Sequence, residues 1–145
     1  MIEKMDEQGA PLSDEEITRA AWRLKVQFPD EYRAFLKRYN GGRPTPDGFP
    51  YGTDTSTLQI FYTIDDGPAN LFDEVASIRA NTPIPPEYLP IAQDDFGNPI
   101  CLMVKGADKG RVYFWDLDAY GANDDESVIV ELASSLDAFL ATFFE

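Results

Sequence analysis

Three runs of adjacent acids are the residues in this sequence whose types and spacing could do chemistry: Asp65-Asp66, Asp94-Asp95 and Asp124-Asp125-Glu126. A pair of carboxylates can divide general-acid and general-base duty. The chain offers them little to work with. It contains no histidine, so a Ser-His-Asp triad, a Cys-His pair and a His-ligated zinc centre cannot be built. Each run also falls in a stretch that reads as a turn, where Asp serves by hydrogen-bonding nearby backbone N–H groups. Turn chemistry is the leading reading for all three runs, and a carboxylate-based hydrolase the most distant.

A metal is the sharper alternative. In DLDAYGANDDES, residues 116–127, Asp116, Asp118 and Gly121 fall at positions one, three and six of an EF-hand loop, and Asp124 at nine. Tyr120 stands at position five, Ser127 stands where the bidentate Glu is needed, and Glu126 arrives one residue early. The segment before it reads as a strand, where an EF-hand has a helix. DFGNP and KGADKG are hairpin-type turns without either phosphate-cradling glycine spacing. No metal and no other cofactor is expected. Trp115, between Phe114 and Asp116 at a strand end, has the composition of an anchor for a basic interface, against the alternative of half-buried sheet packing. Trp22 lies beside a helical apolar stripe and reads as core.

Charge narrows the partner. The 145 residues carry a formal net charge of −14, which argues against nucleic acid or an anionic membrane. Residues 1–43 hold eight acids and eight bases, so the whole of that charge falls on residues 44–145. Acidity can be a solubility device alone; the functional alternative is a basic protein partner. Cys101 is the single cysteine, set in the apolar run PICLMV, and reads as a buried, inert thiol. MIEKMDEQGAP is polar and lacks the apolar centre of a signal peptide, and no apolar run approaches membrane-spanning length. A cytoplasmic, soluble protein is expected, with a monomer favoured.

The elements that would position these residues can be read along the chain. Ser13 and Glu16 form a capping box for a helix over 14–27 with Ile17, Ala20, Ala21, Leu24 and Phe28 on one face. FPDEYRAFLKRYNGG, residues 28–42, predicts a second helix, with Pro29 at its first turn, Tyr32, Phe35, Leu36 and Tyr39 on its apolar side, and Gly41 left-handed at its end. RPTPDGFPYGTDTS reads as an irregular loop. LQIFYTI is a strand, and a short helix bearing Leu71, Phe72, Val75 and Ile78 follows. YLPIAQ, PICLMVK and RVYFWDLD form a meander, VIVEL a further strand, and Ser134 or Ser135 caps a closing helix. The fold class is α+β: two N-terminal helices, a central, mostly antiparallel sheet with a meander in its second half, and a C-terminal helix. Residues 1–12 are expected to be a disordered tail and 13–145 a single domain.

FPDEYRAFLKRYNGGRP, then YLPIAQDDFGNPICLMVKGADKGRVYFWDLD, then SLDAFLATFFE, resemble in that order the SUKH superfamily, specifically its Smi/Knr-type branch. The resembling features are a Pro-initiated helix ending on Asn-Gly-Gly (Pro29 to Gly42), an acidic Gly-Asn turn entering an apolar strand (Asp94 to Asn98), and a strand ending in Trp-Asp (Val112 to Asp116). One departure is visible: Leu117 stands where the family commonly has His, so any role of that His is absent.

The resemblance implies a non-catalytic binding module. Bacterial members are typically immunity proteins that bind and block a cognate toxin, often a nuclease; fungal relatives are scaffolds in cell-wall regulation. A stoichiometric immunity protein for a basic toxin is the leading expectation and an intracellular scaffold the alternative, which the sequence does not separate. The contact surface is expected on the loops ending or joining strands: Asp65 and Asp66, Asp94 and Asp95, Trp115, Asp116 and Asp118, and Asp124, Asp125 and Glu126.

Overall fold

A computed structural model describes residues 2–117 and 129–145. Helix α1 (Asp14–Leu24) starts on the capping box: Ser13 Oγ accepts from Glu16 N at 3.1 Å and Glu16 Oε1 from Ser13 N at 3.0 Å. It stops three residues earlier than the stripe predicts. Lys25 turns left-handed (φ 59°), its N–H meeting Trp22 O while Val26 N–H reaches Ala21 O, the two bonds of a Schellman closure. α2 (Asp30–Arg38) follows, with Pro29 at the N-cap and Tyr32, Phe35 and Leu36 buried. Gly41 is left-handed (φ 68°), and a Cβ there would lie 2.6 Å from Tyr62 O. Glycine is therefore required by both conformation and close approach.

The stretch RPTPDGFPYGTDTS departs from its reading. It forms strand β2 (Arg43–Thr45), strand β3 (Gly48–Tyr51) and the first residues of β4 (Asp54–Phe61). Pro44 and Pro50 masked the pattern, yet proline is tolerated where a strand has a free edge; β3 is the terminal strand of its sheet and β2 belongs to a two-stranded one. The other half of that small sheet is β1 (Lys4–Asp6), paired antiparallel with β2. The segment expected as a disordered tail is thus anchored: Met5 and Leu12 are buried, and Gly9 N–H donates to Asn40 O at 2.8 Å.

The main sheet has the order β3-β4-β5-β6-β7-β8, every neighbour antiparallel, with β5 (Tyr88–Asp94), β6 (Pro99–Met103), β7 (Val112–Trp115) and β8 (Ile129–Ala133). α3 (Leu71–Asn81), capped by Asn70, bridges β4 to β5, and α4 (Leu136–Leu140), capped by Ser135, closes the chain. The fold is α+β, with the meander in its second half. Phe35 packs on Phe61 (ring centroids 4.8 Å) and Phe139 on Phe49 (5.5 Å), so α2, α4, β3 and β4 share one aromatic core. Because strand residues alternate, Cys101 faces away from Ile100 and Leu102 into a second cluster with Ile84 and Trp115.

Trp22 is not core. It is 74% exposed, one position outside the arc buried by Ile17, Ala20 and Ala21.

Candidate partner-binding site

The strand registers decide where the connections lie. Leu58 pairs with Asp94, Gln93 with Pro99, Ile100 with Phe114 and Trp115 with Ile129. The β3–β4 turn, the β5–β6 turn and both ends of the β7–β8 connection therefore share one end of the sheet. The β4–β5 and β6–β7 connections lie at the other.

Asp94 organises the first of these ends. It is 1% exposed. Its Oδ1 accepts from Phe96 N (3.0 Å) and Asn98 N (2.8 Å), and its Oδ2 from Ser56 Oγ (2.8 Å) and Asn98 Nδ2 (3.2 Å). A buried carboxylate is tolerated when its acceptor capacity is filled in this way. Asn98, itself buried, passes the order on: its Oδ1 accepts from Leu117 N at 2.9 Å, joining the β5–β6 turn to the residues after β7. Asp95 N–H donates to Thr57 O at 3.0 Å, which ties the turn to β4. What projects is Asp95 and, beside it, Phe96, which is 81% exposed.

Tyr51 marks where the three connections meet. Its ring packs on Phe114 at 4.5 Å. Its phenol is held above the ordinary tyrosine range by desolvation first, then by the charges of Asp54, Asp116 and Asp94. Those carboxylates come from the start of β4, the residue after β7 and the end of β5. The assembled end thus presents Asp54, Asp95 and Phe96 exposed and Tyr51 and Asp116 half-buried.

The predicted site residues divide. Asp95 and Asp116 are brought together. Asp94 lies at the same place but underneath, as scaffold. Trp115 is 4% exposed, its ring edge-on to Tyr88 at 5.7 Å and clustered with Ile84 and Cys101, so it is a core residue and the packing alternative holds for it. Asp65 and Asp66 are exposed at the opposite end of the sheet; Asp65 Oδ1 accepts from Thr63 Oγ1 (2.7 Å) and Gly67 N (2.8 Å), an Asx turn leading towards α3. Asp118, Asp124, Asp125 and Glu126 lie outside the described residues, as does nearly all of the calcium-loop spacing. Among the described residues no group of three or more His, Cys, Asp or Glu could hold a metal.

Three members of this surface escaped the sequence reading. Tyr51 and Asp54 were hidden in a presumed loop. Phe96 had a legible signal: an aromatic at the tip of an Asp-Asp-Phe-Gly-Asn turn has no strand neighbour on which to pack.

Residues 11–142 match the SMI1 / KNR4 family (SUKH-1). The chain belongs to that family. It is also similar to the SPbeta prophage-derived uncharacterized protein YokK of Bacillus subtilis (strain 168), at 25% identity over 147 aligned residues covering 88% of this chain and 72% of that protein. The SUKH-1 family includes immunity-type proteins, is associated with binding partners, and is generally non-catalytic. No helix among the described residues is long and apolar enough to cross a membrane.

Proposed function

We propose that this SUKH-1 protein is a cytoplasmic immunity protein whose residues 13–145 act as one domain and neutralise a cognate basic toxin of the nuclease class by stoichiometric binding without catalysis. The observation that supports it most is the convergence of three sheet connections on an acidic end with one exposed aromatic. Asp54 and Asp95 are exposed at the same end of the sheet as Phe96, and the connection leaving Asp116 carries Asp118, Asp124, Asp125 and Glu126 in its sequence. An exposed aromatic among exposed acids is the composition of a binding hot spot with a solvated rim. The rigid sheet fixes it, because Asp94 and Asn98 hold the turn from beneath.

The test is affinity capture from the native cell at low salt, followed by expression of the captured protein with and without this chain. A toxic captured protein, rescued by co-expression and released by Phe96→Ala combined with Asp95→Lys, is the expected result. Capture of a protein that is harmless alone would replace immunity with the scaffold reading. Reproducible turnover of a nucleotide, ester or glycoside by the purified chain, lost on mutating Asp94 or Asp95, would end both.

A further inference from the structure

Trp22, a second exposed large aromatic, stands in the opposite electrostatic setting. The Schellman closure that ends α1 places Lys25 directly after it and sends Val26 back towards the body of the protein. The β6–β7 connection comes alongside, with Lys109 Nζ 3.2 Å from Gln27 Oε1. Between them run two adjoining hollows of about 320 and 390 Å³ that share Trp22, Val26 and Gln27. Four cations line them (Lys25, Arg33, Lys105 and Lys109) against one acid, Asp30. In a chain with 12 bases and 26 acids that ratio is inverted. Arg33 is committed, donating to Thr18 Oγ1 at 2.9 Å and Asp14 O at 3.3 Å. Lys25, Lys105 and Lys109 are exposed and form no ion pair with any described residue.

We propose that this groove is a second docking surface, separate from the acidic end, which takes a short acidic segment of a protein partner with one large apolar side chain laid on Trp22. Its floor is apolar through Val26 and the buried edge of Phe28, its wall is an indole free to stack, and its rim is cationic. An apolar anchor with flanking carboxylates matches each part. A nucleic acid matches less well. Its regular charge would run beyond a groove of this size onto a surface whose net charge is −14, and the repulsion would cancel the local gain.

The groove can be read directly by nuclear magnetic resonance of the full chain, with the Trp22 indole N–H and the Lys25, Gln27 and Lys105 amides as reporters. The probe is a synthetic peptide with one phenylalanine flanked on both sides by aspartates; matched peptides carry asparagines or lysines instead, and an oligothymidylate is titrated separately. The acidic peptide should shift these four signals and leave Phe96 unmoved, with affinity falling at least about tenfold from aspartates to asparagines and again with added salt. Trp22→Ala should remove the binding while the melting temperature stays unchanged, and Lys105→Glu with Lys109→Glu should weaken it about tenfold or more. If the acidic peptide moves none of these signals at millimolar concentration, or if the lysine peptide or the oligothymidylate binds as well or better, the proposal is overturned. The result bears only on this surface, since toxin binding at the acidic end is measured with Phe96 and Asp95.

Discussion

Asp94 and Asp95 are neighbours to which the structure gives opposite duties, and separating them tests the account of the site. Replacing Asp94 with Ala removes the acceptor for four donors. The Asn98 N–H is buried, so leaving it unsatisfied costs about 1–3 kcal/mol. The Asn98 Nδ2 donor is buried as well and adds about 1–3 kcal/mol, while the partly buried Phe96 N–H and Ser56 Oγ cost about 0.5–1 kcal/mol each once the turn relaxes. The sum is about 3–8 kcal/mol, which for a chain of this size lowers the melting temperature by roughly 10–30 °C. Asp95 is exposed, and Asp95→Lys should stay within about 0.5 kcal/mol of the parent. Binding should respond the other way about. Asp95→Lys should slow association and reduce its salt dependence, while Asp94→Asn, which keeps Oδ1 as acceptor for both turn N–H groups, should bind nearly normally in whatever fraction is folded. Denaturant melts and association rates on the same samples give both quantities. If Asp94→Ala melts like the parent and fails to bind, Asp94 is a contact residue and its role as organiser is refuted.

Three other outcomes follow from the packing. Phe35→Ala, which empties a place packed against Phe61 and Tyr39, should cost about 3–5 kcal/mol by denaturant titration, whereas Trp22→Ala should be nearly neutral. Removing residues 1–12 should destabilise the protein by about 3–6 kcal/mol, since Met5 and Leu12 leave the core at about 1.5–3 kcal/mol for each full side chain; an unchanged melt would show that β1 contributes nothing. Burial raises the Cys101 thiol, so its stabilising effect is complete below the unfolded thiol value near about 8.5 and is lost as pH rises beyond it, at about 1.4 kcal/mol per pH unit; Cys101→Ala should flatten that alkaline limb between about pH 9 and 10 in pH-dependent melts.

The elements with strong periodicity were legible. α1, α2, α3 and the run from β5 to β7 stand where apolar spacing and caps put them, and the order of motifs led to the family. Tertiary context decided the rest. β1 and β2 have three residues each and β2 contains Pro44, so neither carries a local signal; each exists because the other supplies its hydrogen bonds. Trp22 is a positional failure, since a helical stripe is defined only to within about one residue of its edge and the side that received a neighbour did not include it. Trp115 shows the converse: proximity to acids in sequence suggested a contact, while alternation along β7 turned the ring inward. Co-location of the acidic turns was beyond local reading, because it follows from registers that a single strand does not encode.

Charge in three dimensions differs from charge along the chain, and the difference has a consequence for recognition. Along the chain the first 43 residues are neutral and all the net charge comes later. In the fold, Lys105 and Lys109 leave the acidic half to join Lys25 at the far end of the sheet, while Asp54, Asp95 and Asp116 gather at the near end. β5, a central strand of seven residues, is about 23 Å long at 3.3 Å per residue. That exceeds two Debye lengths at physiological ionic strength, where screening acts over about 8 Å. The two ends therefore present themselves to partners independently, and a basic surface meets the acids without sensing the distant lysines. At 0.01 M salt, where screening reaches about 30 Å, the whole charge distribution is sensed at once: the net −14 attracts a basic partner to every face, and the segregation turns the acidic end towards it. Association rates should therefore rise as salt falls, and the fraction of encounters made through Asp95 and Phe96 should rise with them.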